Sequence, residues 1–245
     1  MDDFKAIKKY AYDFIIKHSI KSLNFTVDQI IKLIEQYGYS VFSYRDGISI
    51  LVHLKKEKET YRNGFTYKAE NSDNNNYVFF DNELPTEIQI DVLMHELAHI
   101  YLGHPNKPEK YKTPKEKNTE EFNANALKLY IFSPFCVLKE YGIKTPEEIE
   151  ELTCVLPDQI TSVWEHYCTY ETSKEDEQII KQYPELLKQR QLLKELNQTQ
   201  KELLETQEKW YEEQQKWNKA LHWAIASTAW ITAGIMILIY LIFLW

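Results

Sequence analysis

Cysteine is scarce in this chain of 245 residues and never occurs as a C-x-x-C pair. The three cysteines are Cys136, Cys154 and Cys168. An odd number of widely spaced cysteines argues against a disulfide framework and against a metal site built from sulfur. We therefore expect three small, buried, apolar residues in a reducing compartment.

The chain also lacks an excess of positive charge. Lysine and arginine number 29 against 37 aspartates and glutamates, which gives a net charge of -8. No basic patch is evident in the sequence, so the composition provides no general attraction to nucleic acid or anionic lipid. The N-terminus has no continuous apolar segment of the kind found in secretory signals. The sequence thus argues against direct nucleic-acid binding and against secretion.

Charged residues are absent from Ala224 to Trp245, and this stretch is strongly apolar. Its 22 residues would rise about 33 Å as a helix, which is enough to cross the hydrocarbon core of a bilayer. Lys209, Lys216 and Lys219 precede the stretch. The positive-inside rule therefore predicts a single-pass, tail-anchored protein of the cell membrane, with residues 1–220 in the cytoplasm and residues 223–245 as the transmembrane helix.

Glycine is missing between Ser173 and Gly234, where glutamate, lysine, glutamine and leucine predominate. Apolar residues recur there at heptad spacing, which predicts a helical stalk over residues 171–222. Glutamines occupy several of the core positions. A parallel coiled coil, which would make a homodimer, and a single solvated helix fit this pattern equally well.

Residues 1–170 are predicted to form an α+β domain. Period-two alternation predicts strands at 39–44 and 48–54, joined by the hairpin turn Arg45-Asp46-Gly47, and two more at 64–69 and 77–81. The small sheet is therefore expected to be mostly antiparallel. Helical spacing predicts two helices before the sheet and a helical C-terminal half after it, at 3–19, 27–37, 87–103, 119–132, 135–141, 146–154 and 158–167.

The sequence His95-Glu96-Leu97-Ala98-His99 is an H-E-x-x-H motif inside the helix predicted at 87–103. Thr86 is the expected N-cap of this helix, with Gln89 as its capping-box partner. One helical turn separates His95 from His99, so both imidazoles leave the same face and can bind one metal ion. The motif predicts a zinc site that needs a third protein ligand.

Glu121 is the preferred third ligand, because Asn125 follows one turn later and could accept a hydrogen bond from a ligand imidazole. Glu120 and His104 are the alternatives. His104 is disfavoured, because the extended pattern H-E-x-x-H-x-x-G-x-x-H places its histidine out of register with this sequence.

The residue types predict hydrolysis of a peptide bond. Zinc at His95, His99 and Glu121 would acidify a bound water, and Glu96 would take its proton and pass it to the leaving amine. Tyr101, Tyr130 and His166 are candidates for stabilising the oxyanion, and their spacing does not choose among them.

Three blocks of this sequence, within residues 26–170, resemble the ImmA/IrrE family of metallopeptidases. They are Tyr77-Val78-Phe79-Phe80-Asp81, the stretch from His95 to His104, and Glu121-Phe122-Asn123-Ala124-Asn125-Ala126-Leu127 running on to Ser133-Pro134. The last block is similar to the family's E-x-E-A-N-x-F-A-x-x-L-L-M-P. It departs at Asn123, at Leu127 and at residues 132–133, none of which is a candidate ligand.

The resemblance implies a zincin-like fold and cleavage of helix-turn-helix repressors. Together with the apolar C-terminal stretch, it predicts a membrane-tethered zinc endopeptidase that cleaves a cytoplasmic regulatory protein. The alternative is a metal-stabilised binding module that sequesters a regulator at the membrane without cleaving it.

Overall fold

The computed structural model describes residues 2–69, 75–107 and 109–243. Within these ranges the sheet contains three short strands, β1 (Ser40–Ser43), β2 (Gly64–Lys68) and β3 (Asn76–Phe80), in the order β1-β3-β2. β2 pairs antiparallel with β3, whereas β1 pairs parallel with it. The sheet is therefore mixed, and the prediction of a mostly antiparallel sheet is wrong for the β1–β3 pair.

Residues 48–54, predicted as the second strand of a hairpin, form the short helix α3 (Ile48–His53) instead. The chain crosses the sheet closely at Gly47, where an added Cβ would lie 2.6 Å from the ring of Phe79. From there one helical turn buries Leu51 against Phe65 and Phe79. A short apolar run fits a strand or a helix equally well, and here this burial favours the helix.

Four helices form most of the main core, namely α1 (Asp2–Lys17), α2 (Val27–Glu35), α4 (Thr86–Tyr101) and α5 (Pro114–Phe132). α4 packs against α2, α5 and β2, and α1 packs against α5. Leu93, Met94 and Leu97 of α4 are fully buried. The H-E-x-x-H motif therefore lies on the helix that the other elements surround.

α4 begins at Thr86 without the predicted capping box. Thr86 is already the first helical residue, and Pro85 before it makes no side-chain cap. The side chain of Gln89 donates instead to the carbonyl of Leu84 at 2.7 Å, and so it satisfies a backbone acceptor of the turn before the helix. The predicted cap of α2 is confirmed, because Thr26 accepts a hydrogen bond from the backbone of Gln29.

Two glycines shape the surroundings of α4. A Cβ at Gly64 would lie 2.5 Å from Cγ1 of Val92, so glycine lets β2 approach the motif helix closely. Gly103 has φ +75°, a left-handed conformation that glycine adopts without strain. It ends the helix and turns the chain back.

α5 starts at Pro114 rather than near Thr119. The side chain of Thr113 accepts from the backbone of Glu116, whose carboxylate accepts in return from the backbone of Thr113. This is a capping box followed by proline at the first helical position, where its missing N–H costs nothing. The first turn of α5 therefore replaces part of the predicted loop.

Four shorter helices follow, α6 (Phe135–Tyr141), α7 (Pro146–Leu152), α8 (Pro157–Thr169) and α9 (Asp176–Ile180). Thr145 caps α7 as predicted. The compact unit continues to Lys188, so the boundary predicted at residue 170 lies inside it.

A buried carboxylate holds the residues after 170 in this unit. Asp176 is 1% exposed, accepts hydrogen bonds from the hydroxyls of Tyr12 at 2.7 Å and Tyr170 at 2.8 Å, and pairs with Lys8 at 2.9 Å. Burial by itself would raise the pKa of this carboxyl. The hydrogen bonds outweigh burial, and the pKa of Asp176 lies below its usual range.

The second unit begins at Gln189 and consists of the continuation of α10 (Pro184–Phe243). Every side chain from residue 191 to residue 239 is exposed, including Trp217, Trp223 and Trp230. Within the described ranges, α10 is the one helix long and apolar enough to cross a membrane. The predicted coiled coil and its dimer stay predictions.

The three cysteines differ in exposure. Cys136 is buried, and burial raises the pKa of its thiol to about 11. Cys154 is partly buried and Cys168 is exposed. The expectation of three buried thiols is therefore right only for Cys136.

Replacement of Asp176 should destabilise the compact unit. Asp176→Ala is expected to lower the free energy of unfolding by about 3 kcal/mol, because it removes the buried carboxylate that accepts from Tyr12 and Tyr170 and pairs with Lys8. Because the pKa of Asp176 is lowered, its ionised form favours the folded chain, so the unchanged chain should also lose stability as the pH falls below about 4. Thermal unfolding of the full chain in non-ionic detergent, followed by near-ultraviolet circular dichroism, measures both effects.

Asp13→Ala is the matched control, since it removes an exposed carboxylate from α1. Equal destabilisation by the two substitutions would contradict a special role for Asp176.

Candidate metal centre

The two histidines of the motif converge on one point. His95 and His99 are partly buried, and both line a cleft bordered by α4, β2, α5 and residues 104–107 and 110–112. Their Nε2 atoms lie 3.0 Å apart. Two imidazole nitrogens at this distance need a proton or a cation between them, so both are directed at a common site.

α5 brings Glu121 to the same point. Its Oε2 lies 3.2 Å from Nε2 of His95, and its Oε1 lies 3.5 Å from Nε2 of His99. Hydrogen bonds from the His95 and His99 imidazoles hold the pKa of Glu121 well below its usual range. The Glu121 side chain is 60% exposed, so the site is open to solvent.

The three groups have the spacing that a metal ion requires. Their ligand atoms all lie within 4.8 Å of one another, and the separations given above are 3.0, 3.2 and 3.5 Å. Tetrahedral zinc with bonds of about 2.0–2.1 Å places its ligand atoms about 3.3 Å apart. In the described part of the chain, no fourth histidine, cysteine or carboxylate joins this group. The group could therefore hold a metal ion and leave one position for water.

Neither alternative third ligand belongs to this group. The carboxylate of Glu120 pairs with Lys112 at 2.6 Å. Nδ1 of His104 lies 2.8 Å from Nδ1 of His99, which is the ring nitrogen not directed at His95 and Glu121.

His104 holds the orientation of the His99 ring. Only one proton fits between the two Nδ1 atoms, so one nitrogen donates and the other accepts. A His99 that binds metal through Nε2 carries its proton on Nδ1 and donates it to His104. Burial, with the nearby His99 and Lys112, lowers the pKa of His104 to about 4.

The role predicted for Asn125 is wrong. Asn125 is exposed and lines the cleft, and it makes no hydrogen bond to His95 or His99 among the residues that the structure describes. His104 provides the partner of His99 instead. The one signal in the sequence is that Gly103 allows the chain to turn back immediately before His104.

Glu96 lies in the same cleft, largely buried, and is held by the sheet. Its Oε2 accepts a hydrogen bond from the hydroxyl of Thr66 on β2 at 2.7 Å. Thr66 therefore fixes one of the two carboxylate oxygens of Glu96. The sequence does not predict this contact, because residues 66 and 96 meet only through the packing of β2 on α4.

The three candidates for oxyanion stabilisation lie away from the cleft. Tyr101 packs edge-on against Phe14, and Tyr130 packs against Phe135. His166 is partly buried on α8, where its Nδ1 lies 2.7 Å from the carbonyl oxygen of Ser162. None of the three is among the described residues that line the cleft.

No family model, curated protein or solved structure matches this chain. The similarity to the ImmA/IrrE peptidases therefore rests on the three sequence blocks.

Loss of the His104 imidazole should weaken metal binding. His104→Ala is expected to lower zinc affinity about 10- to 100-fold, because His99 loses the acceptor that fixes its ring. His104→Asn should restore much of this affinity, since its side-chain oxygen can accept the same hydrogen bond. Competition with a chromogenic chelator measures the affinity of the full chain.

His53→Ala serves as the control, because His53 is exposed and does not line the cleft. Unchanged zinc affinity in His104→Ala would exclude the orienting role of this residue.

Proposed function

We propose that this protein is a zinc-dependent endopeptidase anchored in a membrane. The observation that carries the proposal is the convergence of His95, His99 and Glu121 in an open cleft that also contains Glu96. Two imidazoles and one carboxylate with a free position are typical of catalytic zinc, whereas structural zinc is usually closed by four protein ligands. The exposure of Glu121 leaves the site open to water, which supports a catalytic rather than a structural zinc ion.

The residues of the cleft have separate tasks in this proposal. His95, His99 and Glu121 would hold the ion, which supplies Lewis-acid activation of water when bound. Glu96 accepts the proton of the attacking water and gives it to the leaving amine. Thr66 keeps the Glu96 carboxylate in place through its hydrogen bond.

The cleft also provides a sheet edge for a peptide. β2 is an edge strand, and residues 64–69 line the cleft. An extended peptide can bind such an edge through its main-chain groups. The cleft volume of about 1480 Å³ exceeds the range of about 300–1,000 Å³ that is typical of small-molecule sites. Both features support a polypeptide substrate.

The resemblance to the ImmA/IrrE peptidases supports a cytoplasmic helix-turn-helix repressor as this substrate. The exposed apolar part of α10 supports a single membrane span. Lys209, Lys216 and Lys219 before the span favour a cytoplasmic position of the compact unit. The heptads of α10 are compatible with a dimer through this helix.

Substitution of Glu96 tests the chemistry. The full chain should bind one zinc ion, and His95→Ala should lose it. Glu96→Gln should retain the zinc and lower cleavage by at least about 10²-fold, because the amide cannot take the proton of water. Metal analysis measures the zinc. Incubation with peptides from a denatured bacterial proteome, followed by mass spectrometry of new N-termini, measures cleavage, and helix-turn-helix proteins encoded nearby are then tested individually.

Glu87→Gln is the matched control, because Glu87 is exposed on the same helix and outside the cleft lining. Zinc binding by the unchanged chain without any cleavage would refute the peptidase and favour a binding module that sequesters a regulator. Such a module would keep its function in Glu96→Gln.

The membrane anchor is tested by fractionation. The full chain should sediment with membranes in alkaline carbonate and dissolve in detergent. Ile235→Lys combined with Leu238→Lys should move it to the supernatant, because each lysine in the apolar core costs about 2.5–3.5 kcal/mol. Gln200→Lys with Gln207→Lys adds the same charge outside the apolar stretch and should leave the protein in the membrane. Recovery of the unchanged chain in the soluble fraction without detergent would refute the anchor.

A further inference from the structure

The cleft around the candidate metal centre collects positive charge. Among the described residues that line it, eight basic side chains outnumber five acidic ones, whereas the whole chain carries 29 basic and 37 acidic residues. The basic residues come from two segments, residues 56–68 leading into and along β2, and residues 107–128 after α4 and along α5. The side chain of Lys68 donates to Asn106, which directly precedes Lys107, so the two segments lie close together at the cleft. The balance of charge in this cleft is opposite to that of the protein.

Two of these basic side chains are neutralised inside the protein. Lys112 pairs with Glu120 and Lys128 pairs with Asp91, each at 2.6 Å, and both lysine side chains are only 3% exposed. These pairs stabilise the walls of the cleft and are not available to a ligand.

We name four other basic side chains of the lining the cleft cations: Lys56, Arg62, Lys68 and Lys107. Arg62 and Lys56 lie near Glu59, at 3.0 and 3.9 Å. Lys107 pairs with Glu116 at 2.6 Å on the surface. Exposed pairs of this kind contribute little to stability and exchange readily for a ligand carboxylate. The other acidic groups of the lining, Glu96 and Glu121, belong to the candidate metal centre.

We propose that the cleft selects an acidic polypeptide segment, in which aspartates and glutamates flank the residues presented to His95, His99 and Glu121. This proposal rests on the proposed function and names its class of substrate. The cleft cations attract the carboxylates of the segment, and β2 binds its main chain. Charge complementarity of this kind excludes basic segments as well as attracting acidic ones.

A peptide fits these observations better than nucleic acid. The edge strand provides main-chain hydrogen bonds that a nucleic acid cannot use. The net charge of -8 on the whole chain repels a long polyanion, whereas a short acidic segment meets only the cleft.

Binding of charged and neutral peptides to the Glu96→Gln variant, which should not cleave them, tests the proposal directly. Three fluorescein-labelled peptides of twelve residues share one alanine and leucine framework and carry four Asp/Glu, four Asn/Gln or four Lys residues. Fluorescence anisotropy measures their affinity for zinc-loaded, full-length Glu96→Gln protein in non-ionic detergent. The acidic peptide should bind at least about tenfold more tightly than the neutral one and more weakly in 0.5 M salt, and the basic peptide should bind least.

Charge reversal of the cleft cations is the second part of the binding experiment. Lys68→Glu with Lys107→Glu should abolish the preference for the acidic peptide, and Lys68→Gln with Lys107→Gln should reduce it. Lys9→Glu with Lys21→Glu is the matched control, since both lysines are exposed and outside the cleft lining. Equal binding of acidic and neutral peptides, or a preference that survives charge reversal in folded protein, would overturn the proposal.

A single-stranded oligonucleotide of twelve nucleotides is measured in parallel. Tighter binding of this oligonucleotide than of the acidic peptide, lost on the same charge reversal, would assign the cleft cations to nucleic acid and overturn the proposal. Because Glu96→Gln does not need to cleave, failure of the peptidase assay and failure of this preference are separate results.

Discussion

The candidate centre depends on the register between α4 and α5. α4 alone directs two imidazole nitrogens at one point, and α5 must supply the carboxylate that completes the group. The ion pair between Lys128 and Asp91 lies in the same interface. Asp91 is one turn before His95, and Lys128 is two turns after Glu121, so the pair and the metal donors share the facing sides of both helices. A shift of one helix along the other would break the ion pair and the metal group together.

The local parts of this arrangement could be predicted from the sequence. The helix of the motif and the shared face of His95 and His99 follow from helical spacing. The preference for Glu121 as the third ligand rests on a reason that is wrong, since Asn125 makes no hydrogen bond to either histidine within the part of the chain that the structure describes. The hydrogen bond of Thr66 to Glu96 could not be predicted, because it joins a strand to a helix thirty residues away. The parallel pairing of β1 with β3 and the helical conformation of α3 also depend on how separate segments pack, and no local pattern encodes that packing.

The distribution of charge also could not be predicted from the sequence. A net charge of -8 excludes a generally basic protein, but it does not describe how charge is distributed in space. The basic residues of the cleft come from two segments that are about 40 positions apart in the chain, and the segments come together only after β2 packs on α4 and the chain turns back at Gly103. Composition therefore describes the outer surface of this protein better than it describes the surface that a substrate would meet.

The edge position of β2 has a consequence for the state in which a substrate is recognised. A strand edge pairs with an extended chain, and a segment that is folded as a helix has already used its main-chain groups. For the proposed peptidase, a folded regulator must first open locally before its backbone can pair with β2. When opening and closing are fast, the cleavage rate follows the population of the open form. The local stability of the regulator, and any ligand that changes it, would then control the reaction as strongly as the enzyme itself.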